Sequence, residues 1–348
     1  MLRQRKKEKQ CEHDIEQPQH DINQVNKMFT DEKRVLEESN NDKKHIEKID
    51  SNLIHKYNTT EFNSLVISCG GVNIIKIIGM LQKFQEDKKL DDIQYYAGCS
   101  AGSISTLLLL ININPKEMLN HLLKIDYKTL FQNINLQTIL SGKCILPNDI
   151  LIKHIEDVIH DKLGFIPTMI ELFELTKKKW TVAAFNYTDY HIEYIDYKSH
   201  PQVLCSHVAA ASSAIPILFT PVQINGKNYI DGGVFDTFPI KQHLKFHEHS
   251  KVLGIIIGDD FNSDEFRQKR EGVNTIQLLI DVLYINKRKR ENKYLQYNSK
   301  DNVCIFKQNC DPSSGFNFSM DSTDKLRGFL ESYNFIKKLL NTSETKSK

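Results

Sequence analysis

The sequence predicts a three-layer α/β/α fold with a mostly parallel central sheet. Three observations predict it. Short apolar runs alternate with longer stretches of helical periodicity from Ser64 to Leu340, the pattern of parallel strands joined by crossover helices. Three of the predicted strands lead into glycine-bearing turns: Gly70-Gly71, Gly98-Cys99-Ser100-Ala101-Gly102 and Asp231-Gly232-Gly233. Open α/β sheets bind ligands at the carboxyl ends of their strands, where such turns can meet. The middle turn joins an aromatic-rich strand to a Leu-rich helix and fits G-x-S-x-G, the pattern of a nucleophile elbow.

Residues 1 to about 60 are rich in Lys, Glu, Asp, Gln and Asn and contain no Gly. With so few apolar groups they cannot offset the entropy of ordering, so a disordered or loosely helical extension is expected. The folded part is expected to start near Ser64, with Leu65 to Cys69 as a buried strand. Ile74, Ile75, Ile77, Ile78, Leu81 and Phe84 then outline a helix with a broad apolar face. After the elbow and its helix, helices are predicted over 115–125, 147–163 and 169–175. In the second of these Ile150, Leu151, His154, Ile155, Val158, Ile159 and Leu163 share a face.

Trp180 to Phe185 and His191 to Tyr197 read as strands. Val203 to Ala214 is rich in small residues, as a helix pressed close to a sheet requires. Asn225-Gly226 between two short alternating runs is a hairpin signal, and this hairpin delivers Asp231. Val252 to Ile257 and Val303 to Phe306 read as core strands and 278–297 as helical. Ser322 is the expected N-cap of a closing amphipathic helix, followed by a polar tail over 341–348. No internal linker divides 65–340, so residues 245–340 are expected to complete the fold begun by 65–244.

The formal net charge of +2 gives no argument for nucleic-acid binding. The seven cysteines are odd in number and lack metal-ligand spacing, which points away from a zinc module or a secreted disulfide framework. The first residues lack the apolar stretch of a signal peptide. The apolar run from Ser103 to Ile113 is short of the ~20 residues that span a bilayer. The expectation is an intracellular protein, cytoplasmic or peripheral at a membrane.

Acyl transfer needs a nucleophile, a base to take its proton and donors for the oxyanion. The three glycine turns supply residues of all three kinds. Ser100 would stand at a helix N-terminus, where the dipole favours developing negative charge. Asp231 is a weak base unless it lies within hydrogen-bond reach of the serine and is partly buried. Gly232 and Gly233 let the chain turn away just after the acid. His243, His247 and His249 follow Asp231 and give the order Ser…Asp…His of an α/β-hydrolase triad. Their polar neighbours Lys245, Glu248 and Lys251 argue instead for a solvated segment. Cys99, beside the elbow serine, is expected to point into the core.

These blocks resemble the patatin-like phospholipase family. The resemblance rests on Gly70-Gly71, on Gly98 to Gly102, and on an extended final block from Ala209 through Pro216 and Phe219-Thr220-Pro221 to Asp231-Gly232-Gly233 and Pro239. It spans about Leu65 to Leu244 and implies the family's fold, a nucleophilic Ser100, Asp231 as its proton acceptor, and lipid acyl esters as substrate. It also implies an oxyanion hole built from Gly70, Gly71 and Val72, with Gly98, Gly102, Gly232 and Gly233 supporting the turns. No metal or organic cofactor is implied. One block departs from the family pattern G-G-G-x-[RK]-G: this chain reads Cys69-Gly70-Gly71-Val72-Asn73-Ile74. A weak or inactive lipid-binding relative, or an esterase or acyltransferase on another substrate, are the alternative readings. The expected partner is lipid at a membrane or droplet surface, met peripherally through Lys287, Arg288, Lys289 and Arg290, a basic patch on a predicted helix.

Overall fold

The computed structural model describes residues 51–131, 146–259, 293–310 and 314–341, with residues 278, 279, 282 and 290. In chain order the elements are α1 (Ser51–Thr59), β1 (Ser64–Ile67), α2 (Ile74–Glu86), β2 (Tyr95–Cys99), α3 (Ala101–Leu110), α4 (Pro115–Leu123), α5 (Tyr127–Phe131), α6 (Asn148–Leu163) and α7 (Met169–Thr176). There follow β3 (Lys179–Asn186), β4 (His191–Ile195), α8 (Cys205–Ser213), β5 (Val222–Ile224), β6 (Lys227–Asp231), α9 (Ile240–Phe246), β7 (Val252–Asp259), β8 (Val303–Cys310) and α10 (Ser322–Asn341).

Five strands, β3-β2-β1-β7-β8, pair in parallel; β4, β5 and β6 join by antiparallel pairing at the β3 side. The central strands are apolar on both faces because helices cover both. Leu65 and Ile67 of β1 face the larger core, with Ile75, Ile77 and Leu81 of α2, while Val66 faces a smaller one with Phe238, Ile240 and Leu244. Alternation along one strand thus assigns its residues to two layers. Among the described residues, no helix is long and apolar enough to cross a membrane.

The N-terminal boundary differs from the expected one. Residues 1–50 lie outside the described residues, but Ser51–Thr59, placed by composition in the extension, is a helix of the folded body. Tyr57 is buried among Phe62, Phe84 and Phe306, and its hydroxyl donates to Asp87 Oδ2 at 2.8 Å. The Lys56 ammonium donates to the carbonyls of Asn298, Lys300 and Val303 at 2.7–3.2 Å. A lysine that composition counts as solvated here satisfies backbone acceptors ahead of β8. Two smaller differences concern helices. In α6 only Ile155 and Ile159 of the expected face are fully buried. The cap of α10 is Asp321, whose Oδ1 accepts from Asp324 N at 2.8 Å, and Ser322 is already helical. The predicted helix over 278–297 falls largely outside the described residues, and 296–299 form a single 3-10 turn.

β7 and β8 extend the sheet begun by β1, so no boundary near residue 244 separates two bodies. The Asn225-Gly226 turn has positive φ at both residues, 51° and 76°, as a two-residue hairpin of this type requires. Its consequence is positional: it returns the chain along β6 so that Asp231 ends the strand against β3.

Candidate active site

The register of three strands brings Ser100 and Asp231 together. Along β3, Val182 pairs with Gly98 of β2 on one side and with Ile195 of β4 on the other. Ala184 pairs with Glu193 of β4 and with Asp231 of β6. Because β4 takes one side of β3 throughout, β6 occupies the same side as β2 and runs toward it head-on. The two strands end opposite consecutive residues: Cys99 opposite Ala183, Asp231 opposite Ala184. Their backbones are therefore offset along the sheet by about one residue rise, ~3.3 Å.

Ser100 sits at the tip of the elbow with φ 52° and ψ −126°. A non-glycine residue held there stores strain on the order of 1–3 kcal/mol, which persists only where surroundings impose it. Two things impose it here. At Gly102, a β-carbon would meet Ile67 O at 2.4 Å and Ser68 O at 2.6 Å, so α3 starts hard against the end of β1. The Ser100 N–H also donates to Ser212 Oγ at 2.8 Å, and that hydroxyl donates to Ala183 O at 2.7 Å. Gly98 completes the turn by passing backbone to backbone against Gly102.

Asp231 is fully buried. Its N–H donates to Ala214 O at 2.9 Å, and its Oδ1 accepts from Gly233 N at 2.6 Å. Gly232 crosses directly over Ala183. The small-residue block of α8 therefore holds both candidate residues, Ser212 gripping the elbow and Ala214 fixing the acid. The sequence signalled this helix as close-packed through its Ala and Ser content. It gave no sign that one of the serines would be a hydrogen-bonding post for the nucleophile's backbone.

Gly70, Gly71 and Val72 lie at the end of β1, whose Ile67 pairs with Gly98 of the elbow strand. Residues 71–73 form one 3-10 turn that runs directly into α2, so the first amide groups of this helical stretch lack intrahelical acceptors. Gly71 has φ +57°, and a β-carbon on it would meet Gly315 O at 2.1 Å. The segment Ser314–Phe316 packs on the glycine loop, and Asn73 Nδ2 donates to Ser314 Oγ at 2.8 Å. Asn73, which departs from the family pattern, is thus pinned by a residue far along the chain. Beyond it, Phe316 and Phe318 pack with Ile215, Ile217, Leu218, Phe219 and Val234 in a small apolar cluster. Ile217 has φ 76°, unusual for a β-branched residue.

Beneath the elbow, burial first and the Asp231 carboxylate second push the Cys99 thiol well above its ordinary range. A thiol so placed stays protonated and inert, as its position beside the elbow serine implied. Asp236, five residues past Asp231, is buried and accepts from Tyr194 Oη at 2.7 Å and Tyr294 Oη at 2.9 Å. Burial raises its pKa, and the two tyrosine hydroxyls oppose that rise. This carboxylate ties the turn after Asp231 to β4 and to residues 293–295. Sequence reading missed it, and a second Asp in the D-G-G block was its only visible sign.

The histidines are elsewhere. His243 is buried on α9, and the ring of His247 lies 4.2 Å from Tyr95, the first residue of β2. Ser100 follows the last residue of that strand, so the two ends are separated by about four residue rises, ~13 Å. His249 is exposed. The order Ser…Asp…His is not a triad here. Among the described residues, Asp189, His191 and Glu193 bring potential ligand atoms within 4.8 Å of one another. Lys227 pairs with Asp189 at 2.6 Å and Asn186 donates to both carboxylates, so their oxygens are already engaged. Of the basic patch, Lys287, Arg288 and Lys289 lie outside the described residues. The Arg290 guanidinium sits 5.1 Å from the Phe235 ring and donates to Phe235 O.

The chain is similar to several known proteins. A family model described as patatin-like phospholipase matches residues 65–244. The chain is 32% identical over 192 residues to a probable lipid hydrolase of Invertebrate iridescent virus 6, across 53% of this chain and 64% of that protein. It thus spans less than two thirds of that relative's length. It is 25% identical over 278 residues to an uncharacterized protein of Acanthamoeba polyphaga mimivirus, across 78% of this chain and 91% of the other. Among solved structures, VipD from Legionella pneumophila aligns with TM-score 0.46 and 18% identity, over 81% of this chain and 67% of its own. The type III effector ExoU aligns with TM-score 0.42 and 16% identity, over 81% and 53%.

Proposed function

This chain belongs to the patatin-like phospholipase family, and on that premise we propose that it hydrolyses acyl esters, most directly those of phospholipids, through a Ser100-Asp231 dyad. The observation that carries the reading is the head-on approach of β2 and β6, which end opposite consecutive residues of β3 with Ser100 and Asp231 at their tips. No third ionisable partner is needed for the chemistry. Asp231 accepts the Ser100 hydroxyl proton as Oγ attacks the ester carbonyl, and the tetrahedral oxyanion faces the amides of the Gly70–Val72 loop. Collapse expels the alcohol, which takes the proton back from Asp231, and leaves an acyl-Ser100 ester. Asp231 then takes a proton from water, whose hydroxyl attacks that ester; collapse breaks the bond to Ser100 Oγ, which takes the proton back from Asp231, and the fatty acid leaves.

The altered glycine loop is the feature that favours the reading of a weak or inactive relative. Against it stand the retained positive φ at Gly71 and the clamp of Asn73 by Ser314, which hold the turn without the family's basic residue. The test is labelling of the full chain with a fluorophosphonate, followed by product analysis on phospholipid, triacylglycerol and soluble esters. Covalent modification at Ser100, lost in Ser100→Ala, with fatty acid released from phospholipid, is the expected result. An unlabelled Ser100 in folded protein overturns the enzymatic reading. Labelling with turnover confined to soluble esters overturns the lipid substrate.

A further inference from the structure

The carboxyl edge of the sheet carries an aromatic surface that the dyad does not use. Tyr187 and Tyr190, on the turn between β3 and β4, are 55% and 77% exposed, and Phe235, four residues past Asp231, is 46% exposed. They are not scattered. Phe185 lies beneath them, in edge contact with Tyr190 at 5.5 Å and tilted against Phe235 at 6.2 Å, while Tyr187 and Tyr190 are 6.3 Å apart. Two segments distant in sequence thus meet in one aromatic patch. Three large rings left together in water forgo the favourable burial of apolar surface, and such contiguous patches mark interaction sites.

The charge around the patch selects the partner. Arg290, the last residue of the run Lys287-Arg288-Lys289-Arg290, is stacked over Phe235 and bonded to its carbonyl. The acids on the same hairpin are turned to internal partners. Asp189 is held by Lys227 and Asn186, and Glu193 accepts from Asn186 and the Tyr229 hydroxyl. A surface of tyrosines, an apolar ring and an arginine at its edge matches the headgroup level of a bilayer, where amphipathic aromatics settle and basic residues meet anionic lipid. Phe235 N also donates to Gly232 O, so the patch is carried on the same turn as Asp231.

We infer that Tyr187, Tyr190, Phe235 and Arg290 form a docking surface for an anionic phospholipid bilayer, set beside the dyad on one edge of the sheet. The inference rests on the lipid-hydrolase reading for its purpose, but binding can be measured without catalysis. Flotation of the full chain with phosphatidylcholine vesicles, and with vesicles containing phosphatidylserine, is compared for wild type, Tyr187→Ser/Tyr190→Ser and Arg290→Gln. Wild type is expected to float with the anionic vesicles. The double variant should lose roughly 10-fold in affinity or more, and Arg290→Gln roughly fivefold on anionic vesicles alone. All three should hydrolyse a water-soluble short-chain ester equally and melt at the same temperature.

Undiminished flotation of the double variant overturns the proposal, as does equal binding to neutral and anionic vesicles. Binding to a triacylglycerol emulsion but not to bilayers assigns the surface to a droplet and likewise overturns it. Should wild type float as expected yet show no fluorophosphonate labelling, the dyad reading fails while the docking surface stands.

Discussion

The two ends of this sheet are built from the same strands and do opposite things. At the carboxyl ends of β1, β2 and β6 the backbone is forced into unusual conformations at Gly71 and Ser100, and chain segments touch main chain to main chain. At the amino ends, His247 packs against Tyr95 and His243, and His243 lies beside Ser250, in ordinary side-chain contact. Residue type alone does not distinguish the ends, since the histidine-rich end holds the more familiar catalytic side chains. Backbone strain distinguishes them. Lys177, just before β3, has φ 57° and ψ 11°, an ordinary left-handed helix cap. Ser100 at φ 52° and ψ −126° lies outside that region, where a residue is kept only if something requires it.

The largest expected effect tests that assignment directly. Ser100→Ala and Asp231→Asn should each lower kcat on soluble ester by about 10⁴-fold or more, the loss expected when one member of a nucleophile-base unit is removed. Thermal melts should show both variants folded. His243→Gln and His247→Gln should leave kcat within about twofold. A histidine variant that loses activity while staying folded breaks the comparison. Next in size is Gly71→Ala. The new methyl group meets the Gly315 carbonyl at a position of positive φ, so the loop must shift and misplace its amide donors. A kcat loss of roughly 10²–10³ is expected. Wild-type turnover would mean that these amides do not face the oxyanion.

Much of this was legible before the structure. The alternation of apolar runs located β1, β2, β3, β6 and β7, because buried parallel strands are continuous in apolar residues, and glycine punctuation marked the turns at their ends. The elbow around Ser100 and the hairpin that delivers Asp231 have local signatures, whereas the pairing of the two as a dyad is what the family resemblance implies and no local pattern states. What was not legible depends on contacts across long separations. Whether Tyr57 packs or dangles depends on Phe306. Ser212 looks like any small helix residue until its hydroxyl meets Ser100 N. The remoteness of the histidines follows only from which end of β2 faces α9. Periodicity reports burial and turn chemistry reports local geometry; neither reports which distant segment supplies the partner.

At the amino end the expected effect is on stability, and its sign is fixed. Burial first and the neighbouring His247 second lower the pKa of His243 from 6.5 to about 3. The neutral form is therefore the one the fold accepts, and the stability this provides is fully present above pH 6.5. It is lost as pH falls from 6.5 toward 3, because the unfolded chain binds the proton first. His247 is shifted in the same direction by burial and by Lys179. At pH 5 the loss attributable to His243 is about 2 kcal/mol. Chemical denaturation at pH 7 and pH 5 should show a drop in wild type that His243→Gln reduces by about that amount. An unchanged drop in the variant would place the proton uptake elsewhere. Comparing the two pH values removes any cost of the substitution itself.

The smallest effect concerns a polar contact through which the carboxyl end depends on a segment remote in sequence. Asn73 and Ser314 join by a single hydrogen bond, 2.8 Å long and partly buried, and such a bond is worth about 1 kcal/mol. If it only fastens the C-terminal segment, removing it lowers the melting temperature and leaves kcat alone. If it holds the glycine loop in register with the elbow, Asn73→Ala and Ser314→Ala should each lower kcat about fivefold with KM unchanged. The double variant should be no worse than either single one, since both substitutions delete the same contact. Additive losses in kcat would mean that the two side chains act separately. The cycle thereby decides whether a polar pin from the C-terminal part of the chain does the work that a basic residue does in the family's glycine loop.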